Sequence, residues 1–156
     1  NINRGRDMKN NKGFTLLELI LYISIISIIL LIPMLKVDIL HNYKEKQELK
    51  EFVKDINYAR NKTITESIPH SALIDINRNT YTIYKQDHPV KKIVKNKKFS
   101  HGIKLKQLSI EKPEIKFSLS GAPDNPGTII LENKKGKIVK ITITPATGKV
   151  NVYYND

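Results

Sequence analysis

The sequence has no cysteine and no tryptophan, and its 156 residues include 15 acidic side chains against 27 basic ones. The absence of cysteine excludes a disulfide framework, a thiolate metal site and a cysteine nucleophile. Histidines are few and lack the spacing of a metal site, so we expect each to be a surface or partly buried side chain: His41, His70, His88 and His101. No cofactor is predicted. The length suits one modest domain with an appendage.

A short basic segment opens the sequence. Residues 1–13 carry four basic residues and one acidic residue, a net charge of +3. Basic residues that flank an apolar run are retained in the cytoplasm. Met8 is a candidate translation start, because the residues from Met8 onward already form a short basic leader. We interpret residues 1–13 as a leader peptide.

The longest apolar run covers residues 14–35 and contains one charged residue, Glu18. As a helix, a run of this length spans about 33 Å, the thickness of a bilayer's hydrocarbon core. No small-residue cleavage site follows it, which argues against an ordinary secretory signal. The run therefore predicts a single membrane-spanning helix, with the N-terminus in the cytoplasm and the C-terminal part outside the cytoplasmic membrane.

Glu18 is an anomaly within this run. An ionised carboxylate in a membrane helix costs about 2.5–3.5 kcal/mol unless it finds a partner. The α-amino group of a neighbouring subunit would be such a partner, and it would require cleavage of the chain just before Phe14. Alternatively, the carboxylate reaches the membrane interface by snorkelling. The residues alone leave both explanations open.

Gly13-Phe14-Thr15-Leu16-Leu17-Glu18 resembles the class III signal peptide of type IV pilins and type II secretion pseudopilins. The resemblance implies that a prepilin peptidase cuts after Gly13 and that Phe14 becomes N-methylated. It also implies that Glu18 pairs with the amino terminus of a neighbouring subunit during filament assembly. A glycine suits the scissile position because it offers no side chain to obstruct the protease. The implied partners are the peptidase, the membrane before assembly, and other pilins or pseudopilins.

One long helix is predicted from about Phe14 to Ser67. Pro33 removes a backbone hydrogen bond and should kink or locally melt this helix. Similar pilins carry a proline at about this point, so the resemblance assigns Pro33, together with Glu18, to assembly. Residues 36–68 form an amphipathic second half, whose inward face repeats at helical spacing: Leu49, Phe52, Val53, Ile56, Ala59 and Thr63. Ile68-Pro69 ends the pattern, because a residue before proline is driven out of helical geometry.

Charged residues of both signs alternate with the apolar face of this second half. We expect them to form a solvated surface with weak Glu–Lys pairs along the helix. The residues concerned are Glu45, Lys46, Glu48, Lys50, Glu51, Lys54 and Asp55.

Residues 69–156 change to a period of two and predict a globular, β-rich domain. Eight runs have strand character: Ser71–Asn77, Thr80–Lys85, Val90–Val94, Ile103–Leu108, Ile115–Leu119, Thr128–Glu132, Lys137–Thr144 and Lys149–Tyr154. Short strands at close spacing favour antiparallel pairing. The predicted fold class is α+β, with a long N-terminal helix packed against a C-terminal antiparallel sheet domain.

Residues 115–150 are similar to the C-terminal half of the GspH/FimT group of minor pilins and pseudopilins. The similarity is carried by Phe117, Gly121, the strand start Gly127-Thr128-Ile129, and Gly148. Members of that group end in two packed β-sheets against the long helix. The resemblance implies the same arrangement for this chain.

The sequence contains none of the common hydrolase, phosphate-loop, zinc or calcium motifs. Glu111 and Glu114 flank Pro113, and we interpret these two carboxylates as parts of a solvated loop rather than a catalytic pair. The chain is therefore predicted not to be an enzyme.

Residues 85–106 contain eight lysines and one aspartate. Such a basic stripe could follow a nucleic-acid backbone, with these candidate contacts: Lys91, Lys92, Lys95, Lys97 and Lys98. The alternative is a solvated loop, since aromatic residues are scarce and no arginine offers a bidentate fork. Some FimT-group proteins and competence pseudopilins take part in DNA uptake through an arginine-rich motif after the turn glycine. Here Gly148 is followed by Lys149-Val150-Asn151-Val152, without arginine, so this chain departs from that motif.

Three functional classes remain at this point. The leading one is a minor pilin or pseudopilin, a structural subunit of a type IV pilus or of a type II secretion or competence pseudopilus. The second is a filament-borne subunit that binds DNA for uptake. The third is a single-pass anchored β-domain that binds another ligand.

Overall fold

The computed structural model describes residues 13–87 and 89–154, and for residues 32–39 and 41 it describes the backbone alone. One helix precedes eight strands: α1 Leu16–Glu66, β1 His70–Asp75, β2 Thr80–Asp87, β3 Val90–Lys98, β4 Lys104–Ser109, β5 Glu114–Lys116, β6 Gly127–Glu132, β7 Ile138–Ile143 and β8 Val150–Tyr154. The chain divides into two compact units, Asn1–Leu40 and His41–Asp156. Most of the leader, including Met8, lies outside the described residues, as do His88 and the side chain of His41.

The first unit contributes the apolar start of α1. Between Leu16 and Leu31, the exposed fractions of the large apolar side chains run from 46% to 77%. Among the residues that the structure describes, no helix has the length and apolar character needed to cross a membrane. The single crossing predicted over residues 14–35 is therefore not supported. The side chain of Pro33, predicted to act in assembly, lies outside the described residues.

The second unit contains the amphipathic end of α1, where the predicted inward face is confirmed. Phe52, Ile56, Ala59 and Thr63 are fully buried, and Leu49 is 4% exposed. These positions recur every three or four residues, so they align along one side of the helix and pack together against the sheets. The bounds of α1 agree within two residues with the predicted ones.

The end of α1 is fixed by contacts to the first strand. Ser67 adopts a positive φ of 54°, which takes the chain out of the helix. The hydroxyl of Thr63 accepts the backbone N–H of His70 at 2.8 Å, and Nδ1 of His70 lies 2.8 Å from the carbonyl oxygen of Ile68. His70 is 2% exposed. The expectation of a surface or partly buried side chain is wrong for this histidine, because β1 begins directly beside the helix end.

All eight strands that the sequence predicts are present, and every pairing is antiparallel. They form two four-stranded sheets. Sheet A has the order β3-β2-β1-β5, and sheet B has the order β4-β6-β7-β8. The predicted α+β fold class is therefore confirmed. The C-terminal domain contains two sheets, whereas the predicted fold class named a single antiparallel sheet domain.

One hydrophobic core joins the second half of α1 to both sheets. At its centre the rings of Phe52, Tyr81 and Phe99 contact one another, with centroid distances between 4.7 and 5.5 Å. Sheet A adds Ile83 and sheet B adds Ile141, both fully buried. The apolar residues of the alternating strand pattern therefore lie on the faces of the two sheets that contact the helix.

Candidate assembly and processing site

The start of α1 carries its own N-terminal cap. Thr15 Oγ1 accepts the backbone N–H of Glu18 at 3.3 Å, and the carbonyl oxygen of Thr15 accepts the N–H of Leu19 at 3.1 Å. Glu18 is the third residue of the helix, where a carboxylate is favoured by the positive end of the helix dipole. Thr-x-x-Glu is the capping-box pattern. This capping box is readable in the sequence at Thr15 and Glu18, but the predicted start of the helix did not rest on it.

Gly13 and Phe14 lie outside the helix and are exposed. A Cβ atom added to Gly13 would meet no atom within 4 Å, so the fold itself places no demand on a glycine there. The exposed fraction of Phe14 is 74%, and its ring packs edge-on against Tyr22 with centroids 5.9 Å apart. The predicted scissile bond is therefore sterically open within the described chain.

The two serine hydroxyls on the apolar surface that follows are satisfied within the helix. The hydroxyls of Ser24 and Ser27 donate to the carbonyl oxygens of Ile20 and Ile23, four residues earlier, at 2.8 and 2.7 Å. Side-chain to backbone bonds of this kind remove the cost of placing a hydroxyl on an apolar surface. Residues 16–31 thus present an apolar helical surface suited to contact with other apolar surfaces.

The five lysines of β3 that were predicted to contact nucleic acid do not all point to the same side of sheet A. Lys95 and Lys97 lie on the side facing α1, where they donate to Asp55 and Glu51 at 2.5 and 2.9 Å. The hydrogen bond that Lys97 donates to Glu51 raises the pKa of Lys97.

On the other side of sheet A, Lys91 donates to Glu114 at 2.6 Å. Lys92 and Lys98 have no acidic partner among the described residues. The structure does not bring the five lysines onto one face, and nucleic-acid binding by them stays a prediction.

Glu114 corrects the interpretation of the two carboxylates around Pro113. It lies in β5, not in a solvated loop, and it accepts hydrogen bonds from the Ser71 hydroxyl and from Lys91 at 2.7 and 2.6 Å. Partial burial alone would raise the pKa of Glu114, but the hydrogen bonds from Lys91 and Ser71 outweigh that effect and lower it. Its role in the described chain is to tie β5 to β1 and β3.

The acidic residues on α1 correct the expected solvated surface. Asp55 is fully buried and accepts the Tyr81 hydroxyl at 2.9 Å as well as Lys95. Burial, followed by the charge of Asp55, raises the pKa of Tyr81. Glu45 is 5% exposed, and its carboxylate accepts the backbone N–H of Lys134 at 3.3 Å.

Glu48 also turns toward the sheets. Its carboxylate accepts the backbone N–H groups of Ser100 and His101 at 2.7 and 3.1 Å, and it lies 3.0 Å from Nδ1 of His101. Acidic side chains on this side of α1 therefore fix the loops and strands of the domain. A helical pattern alone could not reveal this, since the partners lie 26 to 89 positions further along the chain.

Two glycines that carry the family resemblance meet at one contact. A Cβ on Gly148, where φ is +61°, would lie 2.3 Å from the carbonyl oxygen of Gly121. Arg60 on α1 donates from Nε to the carbonyl oxygens of Gly121 and Thr147, at 3.1 and 2.8 Å. Arg60 thus holds the two loops against the helix. This role of Arg60 was not predicted, because no local pattern in the sequence links it to partners 61 and 87 positions away.

Comparison with known proteins gives two matches. A family model, the prokaryotic N-terminal methylation motif, matches residues 8–32. Among solved structures, the chain is similar to the minor pseudopilin EpsH from the type 2 secretion system of Vibrio cholerae, with a TM-score of 0.56 and 13% sequence identity. That similarity covers 71% of this chain and 95% of the EpsH chain. No curated protein sequence matches.

The matched motif contains Gly13, Phe14 and Glu18, the residues that the sequence analysis selected. The structural match extends to most of the chain and bears out the α+β architecture. This chain therefore combines the prokaryotic N-terminal methylation motif with the fold of a minor pseudopilin.

Proposed function

We propose that this chain is a minor structural subunit of a type IV pilus or of a related secretion or competence pseudopilus. One observation carries the proposal: the Gly13–Phe14 bond is exposed and lies just before a helix that begins with its own cap at Thr15. A protease requires an accessible backbone that is not held in a helix. The methylation motif over residues 8–32 and the pseudopilin fold support this function.

Each motif residue has a separate role in the proposed pathway. A prepilin peptidase cuts after Gly13, and the new amino terminus at Phe14 is methylated. The carboxylate of Glu18 then pairs with the cationic amino terminus of a neighbouring subunit. The exposed apolar side chains of residues 16–31 are covered by the corresponding helices of other pilins or pseudopilins. The chain acts as a building block and not as an enzyme.

The experiment that tests this function is co-expression of the full chain with a prepilin peptidase. Intact-mass analysis is expected to show a chain that begins at N-methylated Phe14. A charged side chain at the scissile position should block processing, so Gly13→Glu is expected to stay full length.

Gly136 provides the matched control, because a Cβ at this exposed glycine also meets nothing within 4 Å. Gly136→Glu should be processed like the unmodified chain. Normal processing of Gly13→Glu would contradict the proposed pathway. Absence of processing in the unmodified chain would instead favour an anchored β-domain that binds another ligand.

A further inference from the structure

Charges of opposite sign are sorted to different sides of α1 between residues 45 and 55. The acidic residues Glu45, Glu48, Glu51 and Asp55 all contact groups of the sheets or their loops. Three lysines from the same stretch, Lys46, Lys50 and Lys54, are exposed, and no described acidic side chain pairs with them. We call these three residues the cationic ridge. The sorting leaves the ridge without a neutralising charge in the described chain.

The cationic ridge has regular geometry. Its members follow one another at a spacing of four, which separates them by about 6 Å along the helix axis and rotates each by about 40° from the last. Lys50 and Lys54 lie on the side of α1 opposite the buried residues Phe52 and Ile56, and Lys46 lies at the edge of that side. Three ammonium groups therefore project from one side of a helix that the core holds rigidly.

A groove beside the ridge adds more positive charge and an apolar floor. It has a volume of about 590 Å³, and its lining includes Lys46 and Lys50 from the ridge together with Lys135 and Lys137 from the β6–β7 turn. Leu49, Ile138 and Tyr154 supply apolar lining. Glu45 is the one acidic residue among the described residues that line the groove, and its carboxylate accepts the backbone N–H of Lys134. This combination fits a surface that presents carboxylates together with an apolar side chain.

The surface that would bind at the ridge and groove differs from the surface of this chain. Nearly all carboxylates on the described part of the β-domain are held by the chain's own donors, including Glu66, Glu114 and Glu132. The exceptions, Asp87 and Glu111, lie at the end of β2 and in the β4–β5 connection. A second copy would therefore offer isolated carboxylates rather than an acidic face. The apolar floor also favours a protein surface over a phosphate backbone, which has no apolar side chain to bury.

We propose that the cationic ridge and its groove dock a carboxylate-rich face of a different subunit in the same filament, an inference that rests on the proposed function. The ridge lysines supply the charge complementarity that selects the partner and orients it. The groove buries an apolar side chain of that partner. This chain then enters the filament by pairing with an acidic subunit and does not polymerise with itself through this surface.

The test is zero-length carbodiimide cross-linking of intact filaments, which joins a lysine amine to a carboxylate only where the two are in contact. Mass spectrometry is expected to find Lys46, Lys50 or Lys54 linked to an aspartate or glutamate of a different subunit. Links from the ridge only to another copy of this chain would overturn the docking surface. So would links from Lys112, Lys140 and Lys149 without any from the ridge.

Charge variants give a second readout. The triple variant K46E/K50E/K54E should lower the amount of this chain in filaments by roughly tenfold or more, because like charges then meet across the interface. Lys→Arg at the same positions should keep incorporation near its original level. The matched control is Lys→Glu at Lys112, Lys140 and Lys149, which are exposed and lie elsewhere on the domain. Equal loss in both Glu variants would overturn the ridge as a specific surface.

Two further outcomes are distinguishable. Filaments that contain no copy of the unmodified chain would refute the proposed function itself. Protection of the ridge lysines from acetylation by duplex DNA, without protection by filament assembly, would replace the acidic subunit with a nucleic acid and overturn the inference.

Discussion

Residues 16–31 and residues 42–66 belong to the same helix, α1, but they are stabilised by different means. In the first region every large apolar side chain is at least 46% exposed, and the visible local support is the cap at Thr15. In the second region Phe52, Ile56 and Ala59 are fully buried against two sheets. In proteins most of the stability of a helix comes from tertiary packing and not from helix propensity. The first region is thus suited to receive its packing from other chains, while the second receives it from its own domain.

The sharpest test of this difference is Glu18→Ala. We expect the variant to be cleaved and methylated but excluded from filaments, because the neighbour's cationic amino terminus would be buried without its partner. The free energy of unfolding of the β-domain should not change. Quantitative immunoblots of purified filaments measure incorporation, and Glu111→Ala serves as a control for loss of a carboxylate. Incorporation of Glu18→Ala at the normal level would refute the pairing.

Truncating one large apolar side chain in each region tests the two kinds of stabilisation directly. Phe52→Ala removes a ring that contacts Tyr81 and Phe99, and should cost about 3–5 kcal/mol of unfolding free energy. Ile25→Ala, in the exposed region, should change it by less than about 0.5 kcal/mol. Urea unfolding of the full chain in a non-ionic detergent, followed by tyrosine circular dichroism, gives both values. Similar costs would mean that both regions pack within the chain.

A substitution at the contact between Gly148 and Gly121, next to Arg60, should have a smaller effect on the second region. Gly148→Ala should cost about 2 kcal/mol or more, since its Cβ would lie 2.3 Å from a carbonyl oxygen at a positive φ. Gly136→Ala also has a positive φ but meets open space, and should cost only about 1 kcal/mol. The difference between the two unfolding free energies isolates the close approach. Equal costs would show that the loop shifts without penalty.

The buried carboxylate of Asp55 tests whether the inward-facing acids stabilise the domain. Asp55→Asn keeps the shape but weakens the bonds from Tyr81 and Lys95, and should cost about 2 kcal/mol. Lys95→Gln should cost less, because that side chain is 37% exposed and water can replace the lost contact. Thermal unfolding of both variants at neutral pH measures the order. A larger loss of stability in Lys95→Gln than in Asp55→Asn would show that Lys95, and not the buried carboxylate, contributes more to the stability of the domain.

The weakest effect is the pH dependence contributed by Glu66 at the end of α1. Hydrogen bonds from Lys62 and Lys85 lower the pKa of Glu66 to about 2 from an ordinary value of 4.5. A lowered pKa in the folded state contributes stability above pH 4.5, and this contribution is lost as the pH falls toward 2. Glu66→Gln should therefore show a flatter decline of the melting temperature over that interval. A decline as steep as that of the unmodified chain would contradict the assignment, and Glu111→Gln is the control.

The sequence predicted the elements of this protein well, because each signal is local. The spacing of Leu49, Phe52, Ile56 and Ala59 marks one face of a helix, and Ile68-Pro69 marks its end. Alternation and turn residues located eight strands, all of which are present. The methylation motif over residues 8–32, which includes Gly13 and Glu18, was also readable, since it consists of consecutive residues.

Only the tertiary structure decided which charged side chains form ion pairs or hydrogen bonds, and with which partners. Glu48 and Asp55 are indistinguishable in sequence from solvated helix residues, yet one holds the loop at Ser100 and the other lies beneath Tyr81. Five of the eight lysines between residues 85 and 106 form ion pairs, whereas the cationic ridge on α1 forms none with the described acidic residues. The physical reason is that local periodicity fixes which face of its own element a side chain occupies. The charge it meets depends on which strand or loop the fold brings to that face.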